Sequence, residues 1–422
     1  MMAATLFRLT VASVWHRRGT LSLVVLTLTL SVSLLLGVQY VRSEVKQSFV
    51  NTVSGTDLIV GARSGPLNLL LYSVFHIGNP TNNISWPTYQ AIVSDPAVEW
   101  TVPLSLGDSH RGYRVIGTTT DFFQYFQHGR SQMLAFDQGE PFSDLFEAVI
   151  GASVADALGY AYGQEIVLAH GTGSVSFVKH DDKPFEVVGV LAPTGTPVDN
   201  AVLVSLEAIE AIHLGWQGGV PAPGRRVTAA QAREQNLEPK AITAALVGVE
   251  RKVATFQLQR KWNQWSPEPL SAILPGVALS ELWRLLSGFE AALLAITAFV
   301  VVISLVGMVA VLLTAQAQRS REMAILRACG ASPLLLALLF SCEALLIALC
   351  SIALALVVGF SGLAFVMPVL GDTLGLHLEL RPLAPTELYL LALVPLAALV
   401  VSWIPAWRAY RKSLAEGLTP RE

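Results

Sequence analysis

Long apolar runs and shorter polar stretches alternate along this chain and divide it into two kinds of region. Residues 20–41 form an uncharged run long enough to cross a hydrocarbon core of about 30 Å. Three more apolar runs, residues 291–315, 333–366 and 385–407, lie in the C-terminal part. The pattern predicts four transmembrane helices. The first is expected to remain uncleaved because its apolar run is too long for a signal peptide.

The segments that flank these runs predict an orientation. Residues 5–18 have apolar side chains at helical spacing and end in His16, Arg17 and Arg18, which favours an interfacial helix on the cytoplasmic surface. The inner boundaries are all basic, whereas the outer loop 367–384 carries a single arginine, Arg381. By the positive-inside rule, both termini are expected in the cytoplasm. The third run is longer than a bilayer is thick, so it should protrude or bend near residues 359–362.

Between the first two apolar runs, residues 42–290 contain no other membrane-length run, which predicts an extracytoplasmic domain. Short helices are predicted at about residues 86–93, 153–158, 206–212 and 250–264. Alternating patterns predict strands at residues 57–60, 98–106, 113–117, 166–170, 175–178, 185–191, 201–204 and 242–249. Mixed strands and short helices in this order indicate an α+β domain.

Three segments of this domain depart from that pattern. Residues 42–53 and 280–289 continue the helical periodicity of the neighbouring apolar runs, which predicts two stalk helices. Residues 214–239 are rich in Gly, Pro, Arg and Gln and predict an exposed insertion of low order. The predicted organisation is therefore 1–41 for the first membrane helix, 42–290 for the extracytoplasmic domain and 291–422 for the remaining membrane helices.

Composition and charge agree with a membrane protein. The chain has 422 residues, of which 53% are hydrophobic and only 14% are charged, so an ordinary soluble protein is excluded. The net charge of −3 offers no basic surface for nucleic acid. All three cysteines, Cys329, Cys342 and Cys350, lie in the C-terminal part, so disulfides cannot hold the extracytoplasmic domain together.

The sequence lacks the motifs of several enzyme classes. It contains no Gly-Lys dipeptide and so no P-loop, and it has neither a Gly-x-Ser-x-Gly elbow nor a His-Glu-x-x-His motif. We therefore expect no catalytic or cofactor-binding residue in this chain. Six histidines lie in the extracytoplasmic domain, and His180 with Asp181 and Asp182 is the one local group of metal-ligand type. Because zinc sites need three or four convergent ligands, we expect these to be solvated loop residues and no metal site.

Two features inside the membrane runs are candidate functional positions. Glu343 is the ionisable residue that lies well within an apolar run, where a charge is costly and usually faces protein or a cavity. A functional role and an incidental buried carboxyl group are equally compatible with this position. Ser33 and Gly37 have the small-x-x-x-small spacing of a close helix contact, although such spacings are common.

The most distinctive stretch is the basic loop at residues 316–332, between the second and third apolar runs. Apolar side chains at Met323, Leu326 and Cys329 recur every three residues, with Arg321, Glu322 and Arg327 elsewhere on the helical wheel. This pattern predicts a short amphipathic helix that ends at Gly330. A helix of this kind lies along the membrane and offers one face to a soluble partner.

The same loop resembles the segment by which MacB/FtsX-type ABC transporter permeases, the type VII transmembrane subunits, dock on their ATPase. The matching residues are Arg319, Glu322 to Ala328, Gly330 and Ala331. A simple positive-inside loop would explain the arginines but not Glu322 and Gly330. The segments at residues 115–123, 149–155 and 185–191 resemble parts of the MacB-like periplasmic core domain, and residues 405–409 resemble the family's C-terminus. The resemblance implies that Arg319, Arg321, Glu322, Leu326, Arg327 and Gly330 couple the chain to an ATPase.

The resemblance also implies partners, location and function. It implies an ATPase subunit that binds the ATP, a second permease copy as homodimer or related heterodimer, and a cytoplasmic (inner) membrane location with the large domain in the periplasm. The implied function is mechanotransmission for export of a peptide, drug or lipoprotein, with either a periplasmic adaptor and an outer-membrane channel or a periplasmic substrate-binding protein as further partners. The alternative is FtsX-like signalling through a periplasmic cell-wall hydrolase. A stand-alone receptor would leave the docking loop without a purpose.

Overall fold

The computed structural model describes residues 8, 10–12, 14–52, 54–129, 131–171, 180–217, 220–221, 227–318, 325, 327–328, 330–374 and 380–411. Their contacts divide the chain into two compact units. The helical unit comprises residues 1–44, 287–367 and 379–422. The sheet domain comprises residues 45–286 and 368–378.

The helices are numbered in chain order. Those formed by the described residues are α1 (Arg18–Thr52), α2 (Pro66–Val74), α3 (Trp86–Val93), α4 (Asp121–Tyr125), α5 (Ala152–Leu158), α6 (Leu206–Ile212), α7 (Ala229–Arg233), α8 (Thr255–Asn263), α9 (Pro275–Gln318), α10 (Pro333–Leu374) and α11 (Pro385–Arg411). Short 3₁₀ turns lie at Pro197–Asn200 and Lys252–Ala254.

The strands are numbered in the same way. They are β1 (Leu58–Ala62), β2 (Ile84–Ser85), β3 (Val98–His110), β4 (Tyr113–Thr118), β5 (Gln127–His128), β6 (Gln132–Met133), β7 (Phe136–Gly139), β8 (Glu147–Ile150), β9 (Glu165–Ile166), β10 (Ala169–His170), β11 (Phe185–Leu191), β12 (Ala201–Ser205), β13 (Trp216–Gln217), β14 (Val220–Pro221), β15 (Ala241–Ile242), β16 (Ala244–Val249) and β17 (Leu270–Ile273).

Among the described residues, four helices, α1, α9, α10 and α11, contain stretches long and apolar enough to cross a membrane, and they coincide with the four apolar runs of the sequence. Three of them begin at a proline, Pro275, Pro333 and Pro385. Proline suits the first helical turn because its φ is fixed near the helical value and its missing N–H would have had no partner there. Helix α10 continues through Gly359 and Gly362 to Leu374, so residues 367–374, predicted as loop, are helical.

The helical unit packs around an apolar cluster that includes Leu28, Val32, Met308, Leu312 and Ile347. Neutral polar side chains add contacts between the helices. Ser31 Oγ lies 2.6 Å from Ser304 Oγ, which joins α1 to α9. Thr29 donates to the Ser351 carbonyl at 3.3 Å, which joins α1 to α10. These short hydroxyl side chains permit close helix packing and satisfy their own polar atoms within the unit.

The sheet domain is built on a mixed sheet with the strand order β17-β1-β16-β3-β4-β12-β8-β11-β7. Most neighbouring strands are antiparallel, whereas β4 and β12, and β8 and β11, are parallel. The long strand β3 pairs with β16 through its first half and with β4 through its second half. Strand β10 pairs with the end of β3, and β9 pairs with β11. Helices pack on this sheet over three separate apolar clusters.

Many predicted elements of the sheet domain have the observed bounds or nearly so, including α3, α6, β4 and β11. The predicted strand 166–170 is instead two short strands, β9 and β10, and the predicted strand 175–178 lies outside the described residues. The predicted low order of residues 214–239 is wrong for residues 227–239. Helix α7 has a capping box between Thr228 and Gln231, and Ala232 is fully buried in the core.

The two predicted stalks are helical. Helix α1 continues without a break to Thr52, and α9 begins at Pro275, before the predicted start at residue 280. Within the sheet domain, Phe49 of α1 packs edge-on against Trp283 of α9, with ring centroids 5.6 Å apart, and stacks on Phe75 at 4.3 Å. Both stalks are therefore packed on each other and on the domain core.

Candidate functional site

The predicted coupling loop is only partly described. Arg319, Arg321, Glu322 and Leu326 lie outside the described residues. Arg327 and Ala328 are helical, and Gly330 follows with a φ of +94°, a conformation that L-residues rarely adopt. The Gly330 N–H donates to the Arg327 carbonyl at 3.0 Å. A glycine at this position ends the helical turn in the way that the sequence predicted.

Glu343, Ser33 and Gly37 all lie in the helical unit. The Glu343 side chain is buried on α10, so it faces protein rather than the unit's surface. Ser33 of α1 donates to the Ala355 carbonyl of α10 at 3.2 Å. A Cβ added at Gly37 would meet no atom within 4 Å. Ser33 thus forms a contact between helices, whereas the chain itself does not require a glycine at position 37.

A second group of polar side chains was not predicted as a unit. We call it the Arg381 cluster, and it comprises Tyr40, Ser43, Glu44, Arg381 and Glu387. The Arg381 guanidinium contacts both carboxylates, with Nη2 2.7 Å and Nη1 3.1 Å from the two Glu387 oxygens and Nε bonded to Glu44 Oε1. It also lies over the Tyr40 ring, 4.7 Å from the centroid.

The Arg381 cluster joins the residues before α11 to the C-terminal half of α1. The Glu387 side chain is fully buried and also accepts the Ala384 N–H at 2.7 Å. Arg42 of α1 forms a separate ion pair with Glu290 of α9 at 2.5 Å. The available signal in the sequence was that Arg381 is the single arginine of its loop, which has no lysine, and that Glu44, Glu290 and Glu387 lie at or near the ends of apolar runs.

The sheet domain contains a third polar group, which we call the Asp108 cluster. Its members are Asp108, His170, His180 and His213, whose ligand-type atoms all lie within 4.8 Å of one another. The β3–β10 pairing places His170 directly opposite Asp108, next to an irregularity in the β3–β4 register. Such bulges redirect side chains. His213 follows the last residue of α6, and His180 is held by a bond from its N–H to the Leu168 carbonyl at 2.9 Å.

The distances within the Asp108 cluster are short. Asp108 Oδ1 lies 3.1 Å from His170 Nδ1, 3.6 Å from His213 Nε2 and 3.9 Å from His180 Nε2. His170 Nδ1 is also 3.1 Å from His213 Nε2. The Trp216 ring packs against all three imidazoles, with centroid distances of 4.7 to 5.2 Å. One carboxylate oxygen and three ring nitrogens therefore converge on one point.

The environment of the cluster shifts its pKa values in different directions. Burial raises the pKa of Asp108, but interactions with His170, His180 and His213 outweigh it and lower that pKa to about 2. The hydrogen bond to Asp108 raises the pKa of His170, whereas burial lowers the pKa of His213. Asp108 is therefore a carboxylate at neutral pH.

These positions correct the expectation for the histidines. The His180 side chain is 1% exposed, so it is not a solvated loop residue, and its ring points towards Asp108 rather than forming a group with its neighbours in sequence. Asp182 instead pairs with Lys183 at 2.8 Å. Sequence reasoning missed Asp108, His170 and His213 as one group because strand pairing brings together residues that are far apart along the chain. The one feature of the sequence that could have pointed to this cluster was the presence of six histidines in the domain.

Comparison with protein families identifies the chain. The model of the MacB-like periplasmic core domain matches residues 21–247, more than half of the chain. The model of the FtsX-like permease C-terminal domain matches residues 294–414. The chain belongs to the MacB/FtsX family of ABC transporter permeases.

Two solved structures resemble this MacB/FtsX permease in part. The periplasmic region of MacB from Actinobacillus actinomycetemcomitans has 10% sequence identity and a TM-score of 0.34, and the match covers 56% of this chain and 97% of that one. The extracellular domain of the noncanonic ABC-type transporter YknZ from Gram-positive bacteria has 12% identity and a TM-score of 0.30, with 52% and 99% covered. A search of curated proteins gives no significant match.

Membership of the MacB/FtsX family has consequences for the sites described above. Its permeases are transmembrane subunits of ABC transporters and are not themselves ATPases, so a separate ATPase subunit is implied. The permease therefore needs a surface for that ATPase, and the loop around Arg327 and Gly330 lies within the matched FtsX-like region. The Asp108 cluster lies within the region matched by the MacB-like periplasmic core domain.

Proposed function

We propose that this permease works by mechanotransmission: ATP binding and hydrolysis by a separate ATPase on the cytoplasmic side move its extracytoplasmic domain. In this proposal the chain crosses the inner membrane four times, both termini are cytoplasmic and the sheet domain is periplasmic. The functional unit contains two permease copies and two ATPase copies. The output is extrusion of a peptide, drug or lipoprotein from the periplasmic side.

The observation that carries this proposal is the continuity of α1 and α9. Helix α1 has 35 residues and α9 has 44, which correspond to about 52 Å and about 66 Å at 1.5 Å per residue. Both exceed a hydrocarbon core of about 30 Å. Each helix is continuous through residues of the helical unit and residues of the sheet domain. A continuous helix transmits a displacement, whereas a coil would absorb it.

The ends of these helices are well anchored, which supports the same mechanism. In the helical unit, the Arg42–Glu290 ion pair ties α1 to α9, and the Arg381 cluster ties α1 to the start of α11. In the sheet domain, Phe49 and Trp283 join the stalks to each other. A movement carried along α1 and α9 would thus act on residues that are packed within each unit.

The low charge of the membrane helices argues against a hydrated path for a polar substrate. Residues 20–41 and 291–315 contain no charged side chain, and Glu343 is buried against protein. Polar pathways through membranes are usually marked by several ionisable residues that face a cavity. We therefore favour a mechanism in which the extracytoplasmic domain moves the substrate outside the bilayer, rather than one in which the substrate passes between the membrane helices.

The coupling loop provides the ATPase contact in this proposal. Arg319, Arg321, Glu322, Leu326, Arg327 and Gly330 would form a short helix whose charged face docks on the ATPase. A periplasmic adaptor and an outer-membrane channel would complete an export system. FtsX-like signalling, in which the sheet domain controls a periplasmic cell-wall hydrolase, uses the same mechanics and differs only in the partner.

The proposal is tested by measuring whether ATP moves the sheet domain. The permease is purified with its ATPase, its three cysteines are replaced by alanine, and a spin label is attached at Gln235→Cys, an exposed position. Distances between the labels of two copies are then compared without nucleotide and with ATP bound to a hydrolysis-deficient ATPase. We expect two distinct distance distributions.

Charge reversal in the coupling loop supplies the matched control. The double variant Glu322→Lys and Arg327→Glu should insert into the membrane normally, lose most ATPase co-purification and show one distance distribution with or without ATP. If the unaltered complex shows no ATP-dependent change, the mechanical proposal is wrong. If the double variant keeps full ATPase binding, the docking assignment is wrong.

A further inference from the structure

We propose that Asp108, His170, His180 and His213 form a binding site for one divalent transition-metal ion of the zinc type. The site lies in the sheet domain and uses one ligand atom from each residue. It is independent of the mechanical proposal, since it depends on local geometry alone. It also departs from the expectation, drawn from the sequence, that this domain has no metal site.

The spacing of the ligand atoms fits tetrahedral coordination. Zinc bonds to histidine nitrogen and carboxylate oxygen are about 2.0–2.2 Å long, so neighbouring ligands of a tetrahedral ion lie about 3.4 Å apart. Asp108 Oδ1 lies 3.1, 3.6 and 3.9 Å from the three imidazole nitrogens. These three distances bracket the tetrahedral value, and all four ligand atoms lie within 4.8 Å of one another, so the side chains would draw together around an ion.

The orientation of His213 is fixed as it would be in a metal ligand. Its Nδ1 lies 2.7 Å from the Ile209 carbonyl oxygen, which can only accept a hydrogen bond. The Nδ1 atom therefore carries the proton, and Nε2 presents a lone pair towards Asp108. A second-shell bond of this type orients the ring and selects the tautomer of metal-binding histidines.

His180 supplies the strongest evidence. Its side chain is 1% exposed, and its Nε2 has no hydrogen-bond partner among the described residues. A buried polar atom without a partner is costly, and such atoms are rare in folded proteins. This Nε2 points into the group formed by Asp108 and the other two imidazoles. A metal ion at the centre would satisfy it and remove the cost.

His110 shows how a buried histidine looks when it has only a structural role. It lies two residues from Asp108 and is also buried, but Val167 O binds its Nδ1 at 2.8 Å and Tyr160 Oη binds its Nε2 at 3.0 Å. Both nitrogens are satisfied without a ligand. The same strand thus carries a histidine whose two ring nitrogens are both bonded and, two residues before it, a carboxylate that faces the unpartnered Nε2 of His180.

The donor set and its surroundings select the class of ion. Three imidazole nitrogens with one carboxylate suit Zn²⁺, Co²⁺, Ni²⁺ or Cu²⁺, whereas Ca²⁺ and Mg²⁺ prefer oxygen ligands. Trp216 covers the three rings with an apolar surface. His170 and His213 are 38% and 26% exposed, so an ion can enter from that side.

A bound ion would connect segments that are distant in the sequence. Asp108 is 62 residues from His170, and His170 is 43 residues from His213. The ion would hold the end of β3, strand β10, His180 and the end of α6 in one arrangement. Metal binding should therefore stabilise the sheet domain against thermal unfolding, because the ligands converge only in the folded state.

Zinc binding is measured on the full chain in detergent, purified with an affinity tag that contains no histidine. The protein is stripped with a chelator, titrated with Zn²⁺ against a chromogenic competitor, dialysed and analysed for metal content. We expect one Zn²⁺ per chain and a higher melting temperature with Zn²⁺ than without it. Titration with Co²⁺ should give the intense visible bands of a tetrahedral site.

Three variants locate the site. His170→Ala, at the most exposed ligand, and His213→Gln should each weaken Zn²⁺ binding by at least about 100-fold, since even changes outside the first coordination shell cost 10- to 100-fold. His128→Gln changes another histidine of the sheet domain outside the cluster and should bind as the unaltered chain does. If His213→Gln misfolds, the Zn²⁺ affinity of His170→Ala and the Co²⁺ spectrum still show whether the Asp108 cluster binds the metal.

Two results would overturn the proposal. One is a stripped and reloaded chain that retains no Zn²⁺ after dialysis. The other is equal Zn²⁺ affinity in the unaltered chain, His170→Ala and His128→Gln. Either result would leave the Asp108 cluster as a group held together by hydrogen bonds such as the one between His170 Nδ1 and Asp108 Oδ1.

Discussion

The Arg381 cluster and the Asp108 cluster both bury polar side chains, but they differ in how completely those side chains are satisfied. In the Arg381 cluster, one guanidinium meets two carboxylates, and Glu387 also accepts bonds from Ser43 and Ala384. In the Asp108 cluster, one carboxylate faces three imidazoles, and His180 Nε2 has no partner among the described residues.

This difference separates a structural clamp from a ligand site. In an ionic group whose charges are all paired, no polar atom is available for a ligand, so the effect of the group is to hold together the helices that carry it. A buried ring nitrogen without a partner, such as His180 Nε2 among the described residues, is unfavourable by itself and becomes favourable when a cation binds. The predictions below test this contrast, starting with the largest expected effect.

Removal of the positively charged Arg381 side chain from the Arg381 cluster should have the largest effect. Arg381→Met leaves Glu44 and Glu387 buried without their cation, and breaking a buried ion pair in this way costs about 3–5 kcal/mol. We expect a marked loss of thermal stability of the chain in detergent. Arg42→Met is the matched control, because Arg42 pairs with one carboxylate, Glu290, whereas Arg381 pairs with two, one of them fully buried, so it should cost less than Arg381→Met.

Restoring neutrality should recover most of that loss. The triple variant Arg381→Met, Glu44→Gln and Glu387→Gln removes the cation together with both carboxylates and should melt closer to the unaltered chain than Arg381→Met alone does. Equal melting temperatures for the single and triple variants would show that lost packing, rather than unpaired charge, explains the effect.

Glu343 should show an intermediate effect. It is a buried carboxyl group in an otherwise apolar stretch of α10. If its hydrogen bonds matter more than its charge, Glu343→Gln should cost less than about 1 kcal/mol and Glu343→Leu about 1–3 kcal/mol. Thermal unfolding and ATPase stimulation are measured for both variants. Equal stability and activity would leave Glu343 without a specific role.

The smallest effects are expected for the small residues of α1. Ser33→Ala removes one neutral bond to Ala355, and such bonds between membrane helices are worth about 0.6 kcal/mol on average. Gly37→Ala should be neutral within the chain because the added methyl group has open space. A Gly37→Ala variant that folds normally but fails to dimerise would instead place Gly37 at the contact between two permease copies.

Elements that depend on local pattern were predictable from the sequence. The apolar runs located α1, α9, α10 and α11, and uninterrupted helical periodicity predicted both stalks. Strand β11 and helix α6 have the predicted bounds because a short run rich in β-branched residues marks the strand and Ser205 caps the first turn of the helix. Glycine at position 330 similarly marked the end of a helical turn.

The two polar clusters could not be predicted because they depend on tertiary contacts. The Asp108 cluster exists because β10 pairs with β3 in one register, and a shift of one residue would turn His170 away from Asp108. The Arg381 cluster requires α1 and α11 to lie side by side in the helical unit. In residues 227–239, a single capping box and the burial of Ala232 overrode a composition typical of loops.

Stalk stiffness is the central claim of the mechanical proposal, and inserts test it most directly. Seven residues of Gly and Ser are inserted between Glu44 and Val45 and between Leu286 and Ser287, the points where α1 and α9 pass from one unit to the other. The matched control inserts seven residues of helix-forming Glu, Ala and Lys at both points, which adds about two turns and preserves helical phase.

The measurement is the ATP-dependent distance between spin labels on the two sheet domains, with ATP hydrolysis recorded on the same samples. The account predicts that the flexible inserts abolish the distance change while ATP hydrolysis continues, and that the helical inserts preserve both. A distance change of full size in the chain with flexible inserts would contradict transmission of movement through α1 and α9.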